Sequence, residues 1–91
     1  MKSTENSLMA LTKINVEILV EMYDCECCGA YEAVSVTDDK GNDWYYDGHF
    51  GGTNCPFPIK TYAISETKKN ARKWYRENGF DAKISVSEKR M

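Results

Sequence analysis

The sequence predicts an α+β fold: a mixed, mostly antiparallel sheet of about five strands with one helix packed on one face, in the order β-β-β-loop-β-α-β. Three observations carry that prediction. Ile14, Val16, Ile18, Val20 and Met22 alternate with Asn15, Glu17, Glu21 and Tyr23, the period-two signature of a half-buried strand. A glycine-bearing turn, Asp38 to Asn42, separates two further runs rich in β-branched and aromatic residues. Residues 66–78 then carry apolar positions at three- and four-residue spacing and stop at Gly79, after which alternation returns.

Taken in order, residues 1–12 show no sustained period and read as a flexible arm, so the domain is expected over 13–88 with a tail at 89–91. Ala30 to Thr37 is the antiparallel partner of the first strand, and Gly41 can supply the positive φ that the next turn needs. "DWYYD" (Asp43 to Asp47) is a short third strand. "GHFGGTNCPFP" (Gly48 to Pro58) holds three glycines and two prolines, which neither helix nor strand tolerates, and reads as a loop. "IKTYAI" (Ile59 to Ile64) is expected as a strand, with Ser65 capping the helix behind it and Glu66 at that helix's positive end. Thr67, Ala71, Trp74, Tyr75 and Asn78 should face the sheet. The last strand, with Ala82, Ile84 and Val86 inward, should run parallel to the Ile59–Ile64 strand through a crossover.

A chain of 91 residues, 42% hydrophobic and 29% charged, builds one small core. No apolar run approaches the roughly 20 residues that span a bilayer, and the start of the chain lacks the apolar stretch of a secretory signal. A cytoplasmic location with reduced thiols is the expectation, with no membrane partner. The net charge of −2 conceals a polarity. Residues 14–58 carry nine acids against Lys40 alone, whereas residues 59–91 carry nine bases against four acids. Such asymmetry suggests separate surfaces for separate partners, unless the two halves neutralise each other in the fold.

Cys25 and Cys28 form a CxxC followed by Gly29, a knuckle spacing in which the glycine permits positive φ. Zinc needs four ligands, and His49 and Cys55 in the glycine-rich loop complete a Cys3His set, making one structural zinc the candidate cofactor. Free thiols in a tight turn and a disulfide such as Cys28–Cys55 are the other states open to this cluster, with Cys27 the thiol least suited to ligation. A Cys55/His49 catalytic dyad has no third orienting residue beside it, so an enzyme is not expected.

Two surfaces remain. Trp44, Tyr45, Tyr46, Asp47 and Phe50 crowd rings beside acids, a combination suited to docking on another protein. Lys68, Lys69, Arg72, Lys73 and Arg76 stripe the outer helix face, suited to phosphates or an acidic partner. The first surface describes a small non-enzymatic protein that docks on a larger protein, such as a nucleic-acid enzyme, and modulates or inhibits it. The alternative is a zinc-stabilised nucleic-acid-binding module using the basic helix 66–78. The ending "TYAISETKKNARKWYRENGFDAKISVSE" resembles the strand–helix–strand tail of many small phage- and plasmid-encoded proteins, which implies an accessory protein of a mobile element. Unpaired sheet edges also leave a homodimer open.

Overall fold

The computed structural model describes residues 11–26 and 29–90. The predicted N-terminal arm therefore lies almost wholly outside the described residues, as do Cys27 and Cys28. The fold is α+β: strands β1 (Thr12–Cys25), β2 (Gly29–Asp38) and β3 (Asp43–Asp47), helix α1 (Ile64–Glu77) and strand β4 (Phe80–Arg90). The mixed sheet has the order β3-β2-β1-β4; β1 pairs antiparallel with β2 and parallel with β4, and β2 pairs antiparallel with β3. β4 extends two residues past the expected domain end, with Lys89 and Arg90 in register with Glu21 and Met22.

Strand alternation decides which side chains enter the core. Ile14, Val16, Ile18 and Val20 of β1, Val34 and Val36 of β2 and Ala82 of β4 are buried on the side that α1 covers. From the helix come Thr67, Ala71 and Tyr75, each at most 1% exposed and spaced four residues apart. Phe57 closes the core from the long loop, with Trp44 and Trp74 packed edge-on at 5.2 Å beside it. Trp74 is half-buried, and Asn78, expected to face the sheet, is exposed as the residue that terminates the helix.

The sheet has four strands, not about five. Of Ile59 to Ile64, expected as a strand, residues 59–63 are irregular chain with a turn, and Ile64 opens the helix. The reason lies in its hydrogen bonds. Thr67 Oγ1 accepts the Lys60 N–H at 2.7 Å and donates to the Lys60 carbonyl at 3.1 Å, while Asn70 Nδ2 donates to the Pro58 carbonyl at 3.2 Å. Side chains of α1 thus take up backbone groups that a ladder would otherwise pair. The parallel partner of β4 is consequently β1. Ser65 does not cap the helix: Ala63 occupies that position without a side-chain bond, and its carbonyl accepts the Glu66 and Thr67 N–H groups. Glu66 lies in the first turn as expected, 3.4 Å from Lys60 Nζ.

At the far end, Gly79 has φ 89°, and its carbonyl accepts the Thr12 N–H at 3.0 Å, so the helix terminus feeds directly into the β1–β4 pairing. Asp38 joins the β2–β3 turn to the helix. Its carboxylate accepts the Lys40 and Asn42 N–H groups at 2.9 and 3.1 Å, the Asn42 side-chain amide at 2.9 Å and the Tyr75 hydroxyl. Partial burial pushes this carboxyl up, but the bonds from Tyr75, Asn42 and Lys40 outweigh that and hold it below the ordinary range. Burial, and then the bond to Asp38 and its charge, push the Tyr75 hydroxyl far above the usual tyrosine range.

Two outcomes are expected. Thr67→Val keeps the buried shape but strands both polar groups of Lys60, and should cost about 1–3 kcal/mol of unfolding free energy in urea titration. Asp38 has a lower pKa folded than unfolded, so its stabilisation is present above the ordinary value of 3.8 and is lost as pH falls through the depressed one. Denaturation midpoints should fall more steeply in acid for the wild type than for Asp38→Asn; parallel profiles would refute the assignment.

Candidate functional site

The second face of the sheet has no helix on it. By alternation it presents Asn15, Glu17, Leu19, Glu21 and Tyr23 from β1, Tyr31, Ala33, Ser35 and Thr37 from β2, and Asp43, Tyr45 and Asp47 from β3. At the hairpin end of this face the rings form a continuous row. Tyr23 and Tyr31 are register partners with centroids 5.6 Å apart and planes 26° apart. Tyr31 stacks on His49 at 4.6 Å and 19°, and His49 meets Phe50 at 4.2 Å. Phe50 is 82% exposed and Tyr45 49%, so large apolar area stays outside the core.

A tight turn after β3 positions His49 and Phe50. Asp47 accepts the His49 N–H at 2.8 Å through Oδ1, an Asx turn, and its backbone bonds Gly51 and Gly52 at 2.7 and 2.8 Å. The Gly48 N–H donates to the Glu32 carbonyl at 2.9 Å, and a Cβ on Gly48 would sit 2.1 Å from that oxygen. Only glycine allows the approach that carries the β2–β3 pairing one step further and sets His49 opposite Tyr31. Glu21 and Asp47 flank the rings with negative charge. The Tyr23 hydroxyl is bonded to the Glu21 carboxylate, which is the chief reason its pKa is raised.

The predicted docking run is divided by the sheet. Tyr45, Asp47 and Phe50 stay on the outer side, whereas Trp44 and Tyr46 point to the helix side and pack against the core. Trp44 meets Phe57, Trp74 and Tyr75 within 6.1 Å. Sequence reasoning missed Tyr23 and Tyr31. The available signal was their symmetry: each stands two residues outside the Cys25–Gly29 ends of the hairpin, which forces them to face each other.

Of the candidate zinc ligands, Cys28 and the side chain of Cys25 lie outside the described residues. Gly29 takes φ 87°, a left-handed conformation that glycine permits in any tight turn. His49 is stacked on the open face, while Cys55 is half-buried and packs with the core on the other. Burial pushes the Cys55 thiol up, only partly offset by the Phe57 N–H. Among the described residues no three His, Cys, Asp or Glu side chains are grouped as a metal ion requires. On the helix, Lys69, Arg72, Lys73 and Arg76 are exposed together, and Lys68 is half-buried. No helix among the described residues is long and apolar enough to cross a membrane.

Comparison with protein-family models, with curated proteins and with solved structures finds no match to this chain.

Gly48→Ala should displace the turn and unstack His49 from Tyr31. The expected readout is loss of the upfield ring-current shifts of the His49 protons and a stability loss of about 1–3 kcal/mol. Unchanged shifts would show that the Gly48 contact does not set the row.

Proposed function

We propose that this chain is a small, non-enzymatic binding protein that docks on a larger protein through the ring-bearing end of its open sheet face. The observation that carries this reading is the row Tyr23–Tyr31–His49–Phe50, held in order outside the core and ending in a phenylalanine that is 82% exposed. Rigid rings lose little conformational entropy on binding and supply anchor energy at interfaces. Asp47 and Glu21 beside them favour a partner with basic residues around an apolar hollow, and long-range attraction between opposite charges would speed encounter. Nucleic-acid enzymes present such surfaces, and an acidic occupant there would block the site their substrate uses; this is the form of regulation proposed, in keeping with an accessory protein of a mobile element.

Binding rather than catalysis also suits the two groups that chemistry would need. The His49 ring is stacked in the row, and Cys55, its thiol pushed up by burial, lies on the opposite side of the sheet.

The test is a comparison of two double variants against a partner recovered by affinity capture and confirmed with purified components. Tyr31→Ala with Phe50→Ala should weaken binding at least about hundredfold, the loss of two aromatic anchors, with the thermal transition retained. Arg72→Glu with Lys73→Glu should leave binding within about threefold. The reverse pattern would move the function to the basic helix.

A further inference from the structure

The two edges of the sheet are not equivalent. β3 is shielded by its own loop: Thr53 Oγ1 donates to the Tyr45 carbonyl at 2.7 Å, and Asn54 Oδ1 accepts the Tyr45 N–H at 2.8 Å. The Asp47 N–H reaches the Gly52 carbonyl at 2.8 Å, and Tyr46 forms an isolated bridge with Thr53. β4 has no such cover. Its eleven residues pair with β1 on one side, and among the described residues no strand pairs with the other. An edge of that length, without proline, is a template for another strand.

The side chains of β4 say which strand. Ala82, Ile84, Val86 and Glu88 lie on the helix side, and Asp81, Lys83, Ser85, Ser87 and Lys89 on the open side. We propose that β4 pairs antiparallel with β4 of a second copy about a twofold axis through Ser85. The axis is perpendicular to the sheet, so both helices fall on one side and residues facing each other must share parity. Centred on Ser85, the register sets Asp81 opposite Lys89 twice, Ala82 opposite Glu88 twice, Lys83 opposite Ser87 twice, and Ile84 opposite Val86 twice. Ile84 and Val86 pack at the margin of the core and are only partly covered in one chain, so pairing buries their free sides. Asp81 and Lys89 stand beside Lys13 and Glu21 of β1 but make no ion-pair contact with them, so the second copy can give each a further opposite charge.

The neighbouring registers fail on the same criteria. A centre at Val86 opposes Lys83 to Lys89; a centre at Ile84 opposes Asp81 to Ser87 and leaves Lys89 without an acid. Like charges directly opposite destabilise a pair of strands, and opposite charges and apolar pairs stabilise it. The charges along the edge thus select one pairing and discourage indefinite addition of strands. The product is a closed eight-stranded sheet, β3-β2-β1-β4-β4-β1-β2-β3, whose two outer edges are the shielded ones. This inference is independent of the binding role proposed for the ring row.

Sedimentation equilibrium of the full chain should show a monomer–dimer equilibrium with no higher species. Ser85→Lys, at an exposed open-face position, places two lysines opposite each other and should raise the dissociation constant at least about tenfold, as should Lys89→Glu. Ser85→Cys should cross-link through residue 85 on mild oxidation, in excess of a wild-type control for the four native cysteines, because directly opposed Cα atoms stand about 4.5–5.5 Å apart. A monomer at all concentrations to about 1 mM, the weakest affinity of interest, would overturn the proposal. So would a dimer that neither charge variant weakens, or one in which Ser85→Cys does not cross-link.

Discussion

A single helix has to serve a sheet more than twice its length. The 14 residues of α1 span about 21 Å at 1.5 Å each, whereas the 14 residues of β1 span about 46 Å as an extended strand. The molecule accordingly measures 57 Å along its longest axis and 21 by 18 Å across. Everything else in the fold answers this mismatch. The helix spends its buried face on one small residue, one threonine and one tyrosine, so that it can lie close to the strands at Ala71 and fill space at Tyr75. The loop after β3 contributes Phe57 where the helix has no further side chains to give.

Because the core is one layer deep, its polar contacts are few and each ties two elements. Thr67 binds the loop at Lys60, and Tyr75 binds the turn at Asp38. Both are helix residues at core positions, and both carry a hydroxyl where valine and phenylalanine would fill nearly the same space. The hydroxyls convert hydrophobic contact into fixed position, since a buried donor without its partner costs more than the bond itself contributes. The helix is thus located at both ends by bonds and in its middle by Ala71.

Period-two patterning was enough to read β1, β2, β3 and β4 as strands and to sort the faces of β1 and β4, because each has one side in the core and one in water; it left the rings of β3 on a single surface. It misread Ile59 to Ile64 for the same reason it succeeded elsewhere. Ile59 is packed against the core and Tyr62 is 86% exposed, an alternation that a loop lying on a core also produces. What distinguishes the two cases is where the backbone bonds go, and those depend on Thr67 and Asn70, seven and twelve residues away from the backbone groups they bind. The surface was legible only in part. Alternation inside Asp43–Asp47 separates Tyr45 from Trp44 and Tyr46, yet the ring row draws on three segments joined by hairpin register and by a glycine contact. Residue types alone do not disclose such a juxtaposition.

The charge asymmetry of the chain becomes a division between the two outer sides of the slab. Glu17, Glu21, Asp43 and Asp47 lie on the open face, with Lys13, Lys83 and Lys89 at its β1–β4 side, and Lys69, Arg72, Lys73 and Arg76 lie on the far side of the helix, with the core between them. At that separation, and with solvent around each set, mutual attraction contributes little to stability. The helix stripe therefore stays unneutralised, whereas the strand bases meet acids on the open face, Lys89 in register with Glu21 and Lys13 with Asp81. Topology explains which surfaces are left for partners. The chain leaves β3, folds its loop back along the β3 edge, crosses the sheet as α1 and ends in β4. Each element laid down covers something built before it, and among the described residues β4 has no successor. The shielded edge and the bare one are thus consequences of chain order, as the covered and open faces are consequences of having one helix.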